Sequence, residues 1–321
     1  MRILFWGTPD FAVPSLRALV GEGHEVVGVV TQPDRPAGRG RRLRASPVKE
    51  VALDQEIPVL TPERPVGEDF EAQLRELDPE LSVVVAYGHI LRPGILELPA
   101  RGSVNVHASL LPELRGAAPV NWAVARGFER TGVTIMRMSE GMDAGPILLQ
   151  REIPIAPDDS ATSVYMRLSE LGAQALVEAL VAMEADLLEP QEQDHAAATF
   201  APKVNRETAR IDWTRPAREV ADHIRGMDMV PGAWTTLDGE PVKLFSPHLP
   251  EATSAGQSDP PAGPPEPGTI LEADPQGLLV VATGAGGQVV LGEIQPPGKR
   301  RMPAADWLRG RDPLPPEVRF R

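Results

Sequence analysis

Short, nearly continuous runs of β-branched and aliphatic residues are the feature that most restricts how this chain can fold. They occupy residues 3–6, 26–30 and 81–86, and a helical pattern over about 11–22 follows the first of them. Strands that are apolar at almost every position are typical of a parallel sheet that helices cover on both faces. We therefore predict an α/β fold for the first half, a doubly wound and mostly parallel sheet of the Rossmann-like kind.

The same α/β pattern continues to about residue 189. Residues 101–108 and 132–138 predict two further strands, and residues 160–187 predict one long helix with a single apolar stripe. The next stretch, 190–207, is polar, contains proline and shows no periodicity, so we interpret it as a linker. The first predicted domain is therefore 1–189.

The chain beyond residue 208 is dominated by short strand patterns. One helix is predicted over 214–226. Five strand patterns are separated by Gly and Asp turns, two of them before a Pro-rich stretch and three after it. They lie at 233–237, 241–246, 269–272, 278–283 and 288–294. This spacing favours a small β-barrel of the oligonucleotide-binding type over 208–321, although other small β folds share it. The Pro-rich segment 250–267 is predicted to be a surface loop.

Composition excludes several classes of protein. The 321 residues include no cysteine, which excludes a disulfide framework, a thiolate nucleophile and a cysteine-based zinc site. No apolar run reaches the roughly 18 residues of a membrane helix, and the first residues do not resemble a signal peptide. The net charge of −13 argues against unspecific nucleic-acid binding, because like charges repel. We therefore expect a cytoplasmic protein that does not associate with membranes.

Asn105 and His107 form the most informative polar pair in the sequence. They are two residues apart in a predicted strand, so both side chains point to one side of the sheet. In open α/β sheets, ligands bind at the carboxyl ends of the strands, where this pair is expected. An amide and an imidazole there can donate hydrogen bonds to one developing oxyanion, and the imidazole can transfer a proton. A hydrogen-bonded polar pair without a catalytic role is the alternative.

Asp143 is the third candidate residue. It lies between Gly141 and Gly145 in the loop after the predicted strand 132–138, and glycines allow a loop backbone to approach a ligand closely. A carboxylate near His107 would favour the protonated imidazole. An ordinary turn without function has the same pattern.

The motifs of several common enzyme classes are absent from the sequence. Gly7 and Thr8 stand where a dinucleotide-binding fingerprint would begin, but the G-x-G-x-x-G pattern is missing, which argues against NAD. A P-loop, a zinc signature and a G-x-S-x-G motif are missing too. His89, which follows the third predicted strand, either lines the cleft or caps the strand.

Basic residues are concentrated in two segments of this acidic chain. Residues 32–50 contain six basic and two acidic residues, and residues 295–321 contain seven basic and three acidic residues. Such segments are typical of a surface that binds phosphate selectively, although solvated loops have the same composition.

Longer stretches of the sequence resemble one family. They are G-T-P-D-F at 7–11, T-Q-P-D-R-P-A-G-R-G at 31–40, N-V-H-A-S-L-L-P at 105–112, R-G-A-A-P at 115–119, G-V-T-I-M at 132–136, M-D-A-G at 142–145 and A-R-I-D-W at 209–213. In this order, from residue 1 to about residue 310, they resemble the methionyl-tRNA formyltransferase family. N-x-H followed by S-L-L-P belongs to all formyl-tetrahydrofolate enzymes of this fold, whereas the P-A-G-R-G loop and the C-terminal barrel distinguish the member that acts on tRNA.

The resemblance implies transfer of a formyl group from 10-formyltetrahydrofolate, a co-substrate, to the α-amino group of methionine on initiator methionyl-tRNA. By position, it makes Asn105, His107 and Asp143 the catalytic residues. It places four residues against the folate, namely Ser109, Leu110, Leu111 and Pro112. It places three against the tRNA, namely Arg39, Arg41 and Arg42. The expected partners are therefore initiator methionyl-tRNA and folate, for a monomeric enzyme in which no metal is expected.

Four other functions stay open. Glycinamide-ribonucleotide formyltransferases share the fold but normally lack a second domain, and sugar-amine formyltransferases should lack the Arg39 loop. An RNA-binding barrel fused to an inert nucleotide fold would have no reason to keep Asn105, His107 and Asp143 together. A dehydrogenase is disfavoured by the missing glycine fingerprint.

Overall fold

Strands and helices alternate through the first half of the chain, at the positions that the apolar runs predict. A computed structural model describes residues 1–37, 42–228, 230–250, 265–274, 278–310, 313–315 and 318–321. Its strands are β1 Arg2–Gly7, β2 Glu25–Val30, β3 Arg35–Ala37, β4 Arg42–Arg44, β5 Val59–Leu60, β6 Leu81–Val85, β7 Ser103–His107, β8 Arg115–Gly116, β9 Arg130–Arg137, β10 Ile147–Pro154, β11 Phe200–Ala201, β12 Trp234–Leu237, β13 Glu240–His248, β14 Ile270–Asp274, β15 Leu278–Ala282, β16 Gln288–Gln295 and β17 Met302–Pro303. Its α-helices are α1 Val13–Gly21, α2 Pro47–Asp54, α3 Glu68–Glu76, α4 Pro93–Leu96, α5 Pro119–Ala125, α6 Ala161–Glu184, α7 Ala217–Gly226 and α8 Ala304–Arg309.

Contacts between the described residues divide the chain into two compact units. The first comprises Met1–Pro119, Arg130–Ile153 and Tyr165–Ala201, and the second comprises Val120–Glu129, Pro154–Val164 and Pro202–Arg321. The last part of the first unit includes most of the predicted linker 190–207, and β11 within it pairs in parallel with β8. The boundaries 1–189 and 208–321 for independent domains stay a prediction.

A seven-stranded sheet forms the centre of the first unit. Its strand order is β10-β9-β7-β6-β1-β2-β5. The pairs β1–β2, β1–β6, β2–β5 and β6–β7 are parallel, whereas β9 runs antiparallel to β7. The central strands carry buried apolar residues at almost every position because helices cover both of their faces. The mostly parallel, doubly wound sheet is therefore confirmed.

Helix α6 is fixed by two polar contacts to the short segment between β1 and α1. The Tyr165 hydroxyl accepts the backbone N–H of Phe11 at 3.1 Å, and the Ser169 hydroxyl donates to the Phe11 carbonyl at 2.9 Å. The apolar stripe of the helix is buried at Leu168, Ala175, Leu176, Leu180 and Met183, and Leu171 is half-buried. The sequence pattern therefore predicted both the helix and its buried face.

The second unit is built on an antiparallel half-barrel sheet. Its strand order is β12-β13-β16-β15-β14, and β17 pairs with β16. Helix α7 packs Val220 and Ile224 into the apolar core between these strands. Pro216 precedes the helix directly and sets its start, three residues later than the pattern predicted. The fold class expected for this half is confirmed, with five strand positions close to those predicted.

Two predicted loops lie partly outside the described residues. Residues 38–41 and 251–264 are not among them, so Arg39, Arg41 and most of the Pro-rich segment 250–267 lie outside the description. The residues that flank 38–41 form a short antiparallel hairpin, β3–β4, where the sequence analysis expected a loop. No helix among the described ranges is long and apolar enough to cross a membrane.

Candidate active site

Strand β7 carries the first two predicted catalytic residues on one face of the sheet. Val104 and Val106 are buried on the opposite face, as the alternation along a strand requires. His107 is almost fully buried, with 6% of its surface exposed, whereas Asn105 is only half-buried. Within the part of the chain that the structure describes, the Asn105 side chain has no hydrogen-bond partner. Its amide is therefore free to bind a ligand.

The two ring nitrogens of His107 have different partners. Nε2 lies 3.1 Å from the carbonyl oxygen of Leu114, and Nδ1 lies 3.7 Å from Oδ2 of Asp143. A carbonyl oxygen can only accept, so Nε2 must carry a hydrogen. Nδ1 is thus the nitrogen that can gain or lose a proton, and it faces a carboxylate.

The loop after β9 must cover a long distance to bring Asp143 next to His107. Because β9 is antiparallel to β7, its last residue, Arg137, pairs with Val104 rather than with His107. Three residues of extended strand, roughly 10 Å, separate these two positions along β7. The loop after β9 must therefore double back, and Asp143 itself takes a left-handed conformation with φ of 49°.

A backbone group holds the Asp143 carboxylate in place. The N–H of Gly116 in β8 donates to Oδ2 at 2.8 Å, on the same oxygen that faces His107. Gly116 has φ of 121°, and a Cβ there would lie 2.8 Å from the carbonyl oxygen of Ala201 in β11. Only glycine therefore allows β8 to lie this close to β11 while presenting its N–H to the carboxylate.

The segment Ser109 to Pro112 forms a turn directly after β7, and Thr134 of β9 ties it to the sheet. The Thr134 hydroxyl donates to the Ser109 carbonyl at 2.6 Å and accepts the Leu111 N–H at 3.1 Å. Gln150 of β10 donates to the same hydroxyl and to the Leu111 carbonyl, at 2.9 Å in both cases. The turn is therefore rigid on its sheet side.

Members of this turn differ in what they can offer a ligand. The Ser109 side chain is fully buried and its hydroxyl donates to the Glu113 carbonyl at 2.6 Å, and Leu111 is buried as well. Leu110 and Pro112 are only half-buried, so their side chains can contact a ligand.

A second polar cluster lies after the neighbouring strands β1, β2 and β6. The carbonyl of Tyr87 accepts from the Thr8 hydroxyl at 3.2 Å and from the Gln32 side-chain amide at 2.9 Å. Burial raises the pKa of Tyr87 to about 12, so this residue stays neutral at ordinary pH. His89 is half-buried, and its ring lies 5.5 Å from the Tyr87 ring.

The structure brings together Asn105, His107 and Asp143, and it places residues 109–112 immediately beyond them. Arg39 and Arg41 lie outside the described residues, and Arg42 opens β4 with a side chain that is not described. Sequence reasoning missed the backbone groups of Leu114 and Gly116, which leave no side-chain signal. Thr134, a polar residue in the middle of a buried strand, is a signal that could have been found. Over the described ranges, no three His, Asp or Glu residues are placed to hold a metal ion.

Two family models match the chain, and together they cover most of it. Residues 1–180 match the model for formyl transferase, and residues 203–312 match the model for the C-terminal domain of formyl transferase. The methionyl-tRNA formyltransferase of Thiobacillus denitrificans is 47% identical over 311 residues, which are 97% of this chain and 97% of that protein. The methionyl-tRNA formyltransferase of Desulforamulus reducens is 43% identical over 318 residues, 99% of this chain and 97% of that protein.

Solved structures of low sequence identity share the fold. Methionyl-tRNA formyltransferase from Clostridium thermocellum has a TM-score of 0.57 at 16% identity, covering 79% of this chain and 95% of its own. HypX from Aquifex aeolicus in complex with tetrahydrofolic acid has a TM-score of 0.62 at 21% identity, covering 96% of this chain and 47% of its own. The family models and the near full-length relatives confirm the resemblance found in the sequence. This chain belongs to the methionyl-tRNA formyltransferase family and is a formyl-transferring enzyme.

Proposed function

We propose that this enzyme transfers the formyl group of 10-formyltetrahydrofolate to the α-amino group of methionine on initiator methionyl-tRNA. The observation that carries the proposal is the convergence of two polar side chains of β7 with a carboxylate from the loop after β9. The His107 imidazole faces the Asp143 carboxylate at 3.7 Å, and the Asn105 amide stands on the same face two residues earlier. Such a set can serve a reaction in which an oxyanion forms and a proton moves.

The first chemical step is attack of the neutral methionine amine on the formyl carbon. A C–N bond forms, and the formyl oxygen becomes an oxyanion. The Asn105 amide and the N–H on Nδ1 of protonated His107 donate hydrogen bonds to it. Both donors are set on the rigid strand β7, so they need no rearrangement as the charge develops.

The second step releases tetrahydrofolate. The bond between the formyl carbon and N10 of the folate breaks as the oxyanion collapses back to a carbonyl. The attacking amine loses one proton and N10 gains one, so no proton is consumed overall. Asp143, which is anionic before the attack, supports the protonated state of His107; it then accepts the amine proton and passes it to N10.

The turn after β7 is the proposed contact for the folate. Leu110 and Pro112 have the exposure that a contact with an aromatic ring system requires, while Ser109 and Leu111 shape the turn from inside. The structure of HypX, a protein that shares this fold, was solved in complex with tetrahydrofolic acid, which supports a folate site on this fold.

The tRNA is proposed to contact the basic segment that contains Arg39, Arg41 and Arg42, and the second unit. On that unit, the guanidinium groups of Arg206 and Arg210 lie 4.9 and 5.6 Å from the centre of the Trp234 ring. Exposed arginines stacked on an indole are a common surface for RNA. These contacts would be made by locally basic surfaces of a protein whose net charge is −13.

A formylation assay tests the proposed function. The enzyme is given 10-formyltetrahydrofolate with charged initiator methionine tRNA, charged elongator methionine tRNA, glycinamide ribonucleotide or an amino sugar nucleotide. We expect efficient formylation of the initiator tRNA alone. Comparable activity on the nucleotide sugar or on glycinamide ribonucleotide would refute the tRNA assignment.

Arg39→Ala tests the tRNA segment separately. We expect a higher KM for the charged tRNA and an unchanged affinity for folate, because the arginine can bind a phosphate through its planar fork. The slope of log affinity for tRNA against log salt concentration should fall by about 1 for a lost phosphate contact. An unchanged KM and an unchanged slope would show that the segment is a solvated loop that does not contact the tRNA.

A further inference from the structure

A buried arginine and glutamine lie behind the loop that carries Asp143, and the proposed reaction gives neither a role. Gln193 and Arg115 both belong to the first unit and are 5% and 6% exposed. Two donors of the Arg115 guanidinium, Nε and Nη2, reach Oε1 of Gln193 at 3.1 and 2.6 Å. The Gln193 amide nitrogen in turn donates to the carbonyl oxygens of Asp143 and Gly145, at 2.9 and 2.7 Å.

Arg115 fixes the direction in which the Gln193 amide points. A guanidinium has donors only, so the oxygen of the amide must face it and the NH₂ group must face the loop. Nη2 of Arg115 also lies 3.0 Å from Nδ1 of His195, which therefore accepts. No described carboxylate forms an ion pair with Arg115, so its charge is satisfied by these neutral acceptors. Burying a charge is costly unless hydrogen bonds compensate it, and these contacts use the one hydrogen of Nε and both hydrogens of Nη2.

The Asp143 loop needs an anchor of this kind. Strand β9 ends beside Val104, so the loop must cross about 10 Å of sheet to bring the carboxylate to His107. The Gly116 N–H holds only the side chain, through Oδ2. The contacts of Gln193 are the ones that hold the backbone on both sides of Ala144.

We propose that Gln193, oriented by Arg115, is a positioning residue that sets the distance between Asp143 and His107. The inference rests on the proposed role of Asp143 in formyl transfer. Gln193 touches no reacting atom in this scheme. It acts by keeping the loop backbone where the carboxylate meets both Gly116 and the imidazole.

Gln193→Glu removes the donor while keeping the side-chain shape. The new carboxylate still accepts from Arg115, so we expect the fold to be retained. Its second oxygen, however, faces two carbonyl oxygens at hydrogen-bond distance and repels them. Displacement of a reacting group by about 1 Å can lower the rate on the order of a hundredfold, so we expect a loss of that size in kcat. The KM for each substrate should change by less than about threefold, because no binding contact is removed.

Gln191→Glu is the matched control. Gln191 has the same side chain two residues away, is exposed, and pairs with Ile147 only through its backbone. The same change of charge at this position should leave kcat and both KM values unchanged. A loss at Gln191 equal to that at Gln193 would overturn the proposal, because it would then reflect charge alone.

A double-variant cycle separates positioning from general damage. If Gln193 acts through Asp143, adding Gln193→Glu to Asp143→Asn should lower kcat little further. The proposal is overturned if Gln193→Glu lowers kcat by the same factor in both backgrounds, or if it keeps wild-type kcat while Asp143→Asn does not. If instead Asp143→Asn keeps wild-type kcat, the proposed function of Asp143 fails.

Hydrogen exchange at the Gly116 amide gives a readout that does not depend on activity. In the wild type this N–H is bonded to Oδ2 of Asp143. In Gln193→Glu the displaced loop should release it, so it should exchange at least about tenfold faster, whereas Gln191→Glu should not change it. Unchanged protection of Gly116 in a folded Gln193→Glu variant would overturn the positioning role, whatever substrate the enzyme uses.

Discussion

Nε2 of His107 lies 3.1 Å from the carbonyl oxygen of Leu114, and this contact assigns the two ring nitrogens. Because the carbonyl can only accept, the hydrogen on Nε2 is held in both the neutral and the protonated imidazole. Only Nδ1 changes its protonation state, and it is the nitrogen that faces Asp143. In the proposed reaction, proton transfer would therefore be restricted to the Nδ1 side of the ring.

Asp143→Asn should lower kcat by at least about a hundredfold while the fold is kept. The asparagine oxygen can still accept from Gly116, but the negative charge that is proposed to support protonated His107 is lost. Steady-state kinetics and a melting curve provide the measurement. Asp186→Asn is the control, since Asp186 is exposed and also left-handed, with φ of 54°. Equal kinetics for the two variants would remove Asp143 from the mechanism.

Asn105→Ala should lower kcat by about 10²- to 10³-fold, because one proposed donor to the oxyanion is lost. Its effect on stability should be small, since the Asn105 side chain has no hydrogen-bond partner among the described residues. Folate binding, measured by fluorescence titration, should stay near normal. A variant with normal kcat, or one that loses activity only because folate no longer binds, would assign Asn105 to another role.

Thr134→Val should destabilise the turn at residues 109–112. The valine keeps the shape but leaves the Leu111 N–H and one donor of Gln150 without their acceptor, which costs about 1–3 kcal/mol. We expect a lower free energy of unfolding and a raised KM for 10-formyltetrahydrofolate. Thr131→Val is the control on the same strand, because the Thr131 hydroxyl is buried and has no hydrogen-bond partner among the described residues. If the two valines have equal effects on KM, the Thr134 contacts do not order the turn.

His223 should make the second unit less stable in mild acid. Burial, aided by the nearby charge of Arg215, lowers the pKa of His223 below its ordinary value of 6.5, although the backbone groups of Ala209 and Arg210 oppose this. The unfolded chain therefore binds a proton at a higher pH than the folded chain does. Stability should fall as the pH drops through 6.5 and level off below the pKa of the folded state.

Urea unfolding over a series of pH values measures this effect. His223→Gln should flatten the decline in stability between about pH 7 and pH 5, since the group that titrates differently in the two states is gone. His248→Gln, at an exposed position of β13, should leave the decline as it is in the wild type. A wild-type slope in His223→Gln would show that another group is responsible.

The strands and the long helix could be predicted because their signals are local. A short run rich in β-branched residues, such as residues 81–86, is typical of a strand buried inside a sheet, and the apolar stripe of α6 gives that helix one face to bury. Asn105 and His107 could be placed together for the same reason, because side chains two residues apart on a strand lie on the same face of the sheet. The proximity of Asp143 came from the family resemblance and the position of its loop.

The path of that loop could not be predicted. Nothing local in residues 130–137 indicates that β9 runs antiparallel to β7, which is why its end lies beside Val104. Gln193 is 50 residues from Asp143 in the sequence, and its amide contacts backbone oxygens that every residue possesses. Such contacts are formed by the tertiary fold and carry no pattern of residue types.

The N–H of Gly116 has a consequence for how the site can be studied. Because the donor belongs to the main chain, no ordinary side-chain replacement deletes it cleanly, and Gly116→Ala forces a methyl group against the Ala201 carbonyl. In an alanine scan, the steric effect of the added methyl group could therefore not be separated from the effect of losing the hydrogen bond of the amide. Replacing the peptide bond before residue 116 by an ester, through semisynthesis, removes that hydrogen and adds no atom to the side chain. The contribution of one main-chain amide to formyl transfer then becomes a measurable rate ratio.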